Sequence, residues 1–136
     1  MPDDAAGVRF TVLDTAESLD ENRLTDVYAY PDALQSSWVR GNMIASLDGG
    51  ATEKGTTGGL AGPGDRALFA LMRHAADVIL VGAATVRMEH YSGAQFSVEA
   101  RQARQRRGQA EVPPIAVVTQ TGEFEHDAKL FSRTEV

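Results

Sequence analysis

Two short apolar runs constrain this chain more than anything else in it. Residues 76–82, ADVILVG, and 112–119, VPPIAVVT, are rich in β-branched residues and carry little polarity on either face. Such runs read as strands of a sheet covered on both sides, the usual setting for parallel pairing. Between them, 97–107, SVEARQARQRR, reads as a solvated helix that Gly108 ends. Ahead of them, a helix opens at Pro63 or Gly64 and runs to about Ala75, with Leu68, Phe69, Leu71 and Met72 as its buried side. A further strand is read from about Trp38 to Ser46, stopped by Asp48-Gly49-Gly50, since glycine supplies the positive φ of a tight turn. Strands alternating with helices predict an α/β sheet with crossover connections. With only about three good strands, that sheet is small for a free-standing α/β domain.

The remaining segments are weaker. FTVLDT alternates enough for an edge strand, and 17–29 places Leu19, Leu24 and Val27 near one helical face before Tyr30-Pro31 ends it. Residues 51–62, ATEKGTTGGLAG, are small and polar, hence a loop, and the tail from Gln120 has no strong signal. A chain of 136 residues is expected to be one domain. Its net charge of −6 argues against nucleic acid or an anionic membrane as partner. Without cysteine there is no disulfide framework, thiolate zinc site or cysteine nucleophile. No apolar run approaches the ~20 residues of a membrane span, and MPDDAAGVRF is acidic rather than signal-like, so a cytoplasmic protein is expected.

Chemistry concentrates at two strand ends. In VILVGAATVRMEHY the strand stops in Gly82, two alanines and Thr85, residues small enough for a ligand to approach the backbone. Ligands of open α/β sheets collect at such carboxyl ends. Thr85 is then either a ligand hydroxyl or a helix cap, and both readings stand. In NMIASLDGG, Asn42, Ser46 and Asp48 alternate with apolar residues and project to one side. That is either a plain turn or an amide, a hydroxyl and a carboxylate presented to a polar substrate. Arg66 and Arg73 lie close to one helical face, suited to phosphate or simply to solvent. Arg101, Arg104, Arg106 and Arg107 read as the face of a soluble helix. His74, His90 and His126 are too scattered for a metal site or a hydrolytic triad. His90 and Tyr91, directly after the glycine turn, are placed at a pocket rim.

Taken in order, NMIASLDGG, TTGGLAGPGDR, LMRHAADVILVGAATVRMEHY and PPIAVVT resemble the reductase domain of riboflavin biosynthesis over roughly residues 38–131. The stand-alone actinobacterial members are the most similar, and no deaminase motif accompanies the domain. The resemblance implies a dihydrofolate reductase-like mixed sheet flanked by helices, incomplete at the C-terminus because family domains continue with further strands. It implies an NADPH-dependent pyrimidine reductase that converts 5-amino-6-(5-phosphoribosylamino)uracil into its ribitylamino product, working as a homodimer. A reductase of the same fold acting on a pterin or folate, and an inactive oligomeric nucleotide-binding fragment, are the alternatives. Carried over by position, the cofactor site takes Ala45, Gly59, Thr85 and Glu89, with Gly82 at the strand end beside them. The substrate meets Thr57 and Arg73, with Asn42 and Ser46 on the first strand, and Asp48 lies at the reacting centre. Many relatives have Asp where this chain has Glu89.

Overall fold

The structure is a computed structural model that describes residues 8–124 and 128–132. His126 lies outside the described residues. The chain forms two compact units, one comprising Met1–Glu53 with Thr57–Ala75, the other Lys54–Thr56 with Ala76–Val136.

The first unit begins with strands β1 (Phe10–Thr11) and β2 (Ser18–Leu19), paired antiparallel with Phe10 opposite Leu19. The expected edge strand is thus present, and Ser18 and Leu19, read from the sequence as helical, belong to its partner. Helix α1 (Glu21–Val27) starts one turn later because Asp20 caps it, accepting from the Arg23 N–H at 2.8 Å. Leu24 is buried, whereas Val27 is exposed, so the helix turns a narrower apolar face inward than the sequence suggests. Helix α2 (Pro63–Ala75) has the predicted bounds, with proline at its first position. None of its residues is buried, and Phe69 is largely open to solvent, so its expected core face is only half covered.

The strand expected from Trp38 to Ser46 is not formed. Among the described residues, 38–46 join no ladder, and Val39, Met43 and Leu47 are exposed. A strand exists only through a partner that takes its backbone groups, and no described strand lies beside this one. Apolar alternation was present in the sequence, but pairing is a property of the neighbour.

The second unit is built on β3 (Ile79–Gly82) and β4 (Ile115–Val118), which run parallel with Ile79 opposite Ile115 and Gly82 opposite Val118. Ile79, Val81, Ile115 and Val117 are half buried, while Leu80, Ala116 and Val118 face outward and are exposed. The expectation of a sheet covered on both faces therefore holds for one face only among the described residues. Helix α3 (Ala83–Met88) follows β3 directly and buries Ala83 and Val86. Helix α4 (Val98–Arg106) starts after Ser97, whose hydroxyl accepts from the Ala100 N–H at 3.2 Å. A short helix α5 (Lys129–Ser132) falls in the tail. No helix of the described residues is long and apolar enough to cross a membrane.

Helices α3 and α4 end by the same device with different residues. After α4, Gly108 takes φ +77°, its N–H reaches Gln105 O, and the next N–H, of Gln109, reaches Arg104 O. After α3, His90 takes φ +47°, its N–H reaches Arg87 O, and Tyr91 N–H reaches Val86 O. Both are Schellman ends, which favour glycine because a Cβ is crowded in the left-handed region. His90→Gly is expected to stabilise the protein by about 0.5–1 kcal/mol, the relief of that crowding less the entropy of an added glycine. A higher urea midpoint checks it; an unchanged midpoint means that His90 contacts repay the strain.

Candidate functional site

In the first unit the SLDGG segment closes on itself. Ser46 N–H donates to Gly50 O at 2.8 Å, and Gly49 N–H donates to Ser46 O at 2.9 Å. Gly49 sits at φ +88°, the geometry that excluded most other residues from this position. The Ser46 hydroxyl donates to Asp48 Oδ1 at 2.5 Å and accepts from Gly50 N–H at 2.8 Å. A Cβ on Gly50 would meet that hydroxyl oxygen at 2.8 Å, so the second glycine is required by the serine. The Ser46 hydroxyl, followed by the Asp48 and Gly50 backbone N–H groups, holds the Asp48 carboxyl below the usual carboxylate range. An exposed carboxylate stabilised in this way is an acceptor at neutral pH and a poor proton donor.

Asn42, two residues beyond Arg40, donates its side-chain amide to Asp65 Oδ1 at 3.3 Å, linking 38–46 to the first turn of α2. Ala45 is exposed. Thr57 is also exposed, and its carbonyl closes a turn with the Leu60 N–H at 3.0 Å. Gly59 lies against Glu53: a Cβ there would come 3.0 Å from the Glu53 carboxyl carbon, so this side chain would have to shift to admit one. Arg73 is half buried with its guanidinium 5.2 Å from the Phe69 ring centre, within cation–π range. Arg66 instead turns back and donates to Ala61 O at 2.7 Å, so the two arginines are engaged separately.

The second unit carries Gly82, Thr85 and Glu89. Gly82 is the N-cap of α3, with no side-chain cap bond, and nothing lies within 4 Å of where its Cβ would stand. Packing within the unit therefore does not explain this glycine. Thr85 is the third residue of α3, not its cap, and is exposed; the capping alternative is overturned because the helix starts at Ala83. Glu89 is the half-buried C-cap of α3, its N–H bonded to Thr85 O. Thr85 and Glu89 thus bracket one helical turn.

Two residues that the sequence did not single out, and one that it read as solvated, matter here. Asp65 receives Asn42. Arg40 donates from Nη1 to Tyr28 O at 2.6 Å and lies 5.3 and 4.9 Å from the Tyr28 and Tyr30 ring centres. Arg104, read as a solvated helix residue, is fully buried, and burial pushes its guanidinium pKa down. The helical spacing gives no hint of this, because its partners are backbone carbonyls.

The sequence pattern of the RibD C-terminal domain family matches residues 37–136. Among solved structures, a pyrimidine reductase-like protein from Corynebacterium diphtheriae aligns at 29% identity with a TM-score of 0.59, covering 64% of this chain and 35% of that one. The present chain thus spans about a third of that protein's length. No curated protein sequence matches it.

Proposed function

The chain belongs to the RibD C-terminal domain family, and from that premise we propose that it is a reductase of riboflavin biosynthesis, reducing 5-amino-6-(5-phosphoribosylamino)uracil with NADPH. The supporting observation is that the family match contains every candidate residue from Asn42 to Glu89, with the SLDGG segment folded into a self-bonded turn.

In this reading, Gly82, Thr85 and Glu89 contact the nicotinamide cofactor, and the family resemblance gives Ala45 and Gly59 a cofactor-binding role as well. The open space at Gly82 and the exposed Thr85 hydroxyl fit a ligand that comes close to the backbone. When bound, the cofactor supplies a hydride for C1′ of the imine form of the ribosylamino group, and a proton completes the amine. Asn42, Ser46, Thr57 and Arg73 bind the pyrimidine and its ribose phosphate, with Arg73 as the phosphate ligand. Asp48, kept ionised by its turn, orients a donor group of the substrate; the proton comes from another source. Orientation of this kind supplies about 7–11 kcal/mol of barrier lowering without an acid–base dyad. Two copies of the chain forming a dimer, and a cytoplasmic location, complete the proposal.

The test mixes the protein with NADPH and the ribosylaminopyrimidine and follows the reduced-nicotinamide absorbance. Decay with this substrate and not with dihydrofolate supports the reading; decay with dihydrofolate alone, or with neither, rejects it. Thr85→Val is expected to raise the NADPH Kd about tenfold, roughly 1.4 kcal/mol, through loss of one hydroxyl partner. An unchanged Kd removes Thr85 from the cofactor site.

A further inference from the structure

We propose that Arg40 is the positioning residue of the substrate-binding segment, held against Tyr28 and Tyr30 so that Asn42 is presented at a fixed place. The inference rests on the reductase reading for what Asn42 binds, but its geometry stands on the first unit alone. Residues 38–46 carry Asn42, Ala45 and Ser46 yet join no ladder among the described residues, and the backbone bonds of Ser46 to the SLDGG turn fix only the far end of the segment. Around Asn42 the fixing contacts come from side chains. Arg40 is half buried, and its Nη1 reaches Tyr28 O at 2.6 Å. Tyr28 is the C-cap of α1, where carbonyls lack helical partners and the helix dipole favours a cation. The guanidinium also lies 5.3 Å from the Tyr28 ring centre and 4.9 Å from that of Tyr30. A planar group within cation–π range of two rings is restrained in orientation as well as position, which a point charge is not.

The second anchor is Asn42 itself, whose amide reaches Asp65 at 3.3 Å on the first turn of α2. That bond is long and exposed, hence weak alone. Arg40, two residues away, removes the freedom that would otherwise break it. The segment is therefore hung between α1 and α2, with Arg40 as the strong fastening and Asn42 as the adjustable one. Substrate binding at Asn42 then depends on a residue that does not touch the substrate.

The experiment compares the wild-type chain with Arg40→Met and Arg40→Lys. The Asn42 side-chain amide resonance is followed by NMR through the titration of Asp65, and affinities for the ribosylaminopyrimidine and for NADPH are measured by calorimetry. In the wild type the Asn42 resonance should track Asp65. In Arg40→Met that tracking should vanish and the pyrimidine Kd rise about tenfold, with NADPH affinity unchanged. Arg40→Lys, which keeps a donor for Tyr28 O but not the planar guanidinium, should fall between the two. It decides the matter if the methionine variant does not fold.

Tracking preserved in the variant, or pyrimidine affinity unchanged once tracking is lost, overturns the proposal. Equal losses for NADPH and the pyrimidine assign Arg40 a general structural role and overturn it too. If the wild type binds neither molecule, the reductase reading falls, while the NMR comparison still decides whether Arg40 positions Asn42.

Discussion

Arg104→Met is expected to cost about 3 kcal/mol, read as a lower urea midpoint with an unchanged m value. Arg104 has no exposed surface. Its Nε donates to Ala110 O at 2.8 Å and its Nη1 to Ala76 O at 2.9 Å, with Phe96 5.7 Å from the guanidinium carbon. Methionine fills most of the volume of the arginine stem, so the cavity contribution is small. The loss includes these two charge-assisted bonds, of about 1.5–3 kcal/mol each, and leaves their two carbonyls to find water. Relief of the guanidinium's desolvation offsets part of that loss, which is why the sum of both bonds is not expected. An unmoved midpoint would mean that desolvation cancels the bonds, and Arg104 would then add specificity without stability.

Leu24→Ala should cost about 2 kcal/mol, the low end for a leucine truncation. Leu24 is the one apolar side chain of the first unit that is buried among the described residues, at 8% exposure. The low end applies because the packing around it is sparse: no other apolar side chain of the first unit is buried among the described residues, so the vacated space can close. Fluorescence of Trp38, the only tryptophan and a residue of the same unit, reports the transition. A cost under about 0.5 kcal/mol, the range of surface substitutions, would show that α1 is held by Asp20 and Arg40 instead of by its apolar residue.

Local signals carried most of what could be read from the sequence. Proline at the start of α2, Gly108 after α4 and Gly49 in the turn each act through their own backbone or within one turn, and each stands where expected. The runs around Ile79 and Ile115 were also recognisable, since β-branched apolar residues have few other uses. Non-local features were not. The 38–46 alternation could not say whether a partner strand would lie beside it. Arg104 looked like its neighbours Arg101 and Arg106, because burial of an arginine is decided by carbonyls at Ala76 and Ala110, distant in the chain. The cap alternative left open for Thr85 fell three residues from the true cap, Gly82, a shift that no pattern of small residues resolves.

Pairing β3 with β4 in parallel also sets an order in time. Parallel strands cannot be joined by a tight turn, so everything from Ile79 to Ile115 must be gathered before the first ladder bond forms. Closing such a loop costs entropy that grows with the logarithm of its length. Arg104 stands on that loop, and its fork reaches Ala76 just ahead of β3 and Ala110 just ahead of β4. With α4 in place, both strand entrances are set together, and the glycine turn and Thr85 lie at the opposite end of the ladder. A ligand held there would clamp the end that Arg104 does not reach, and so slow the opening of the unit.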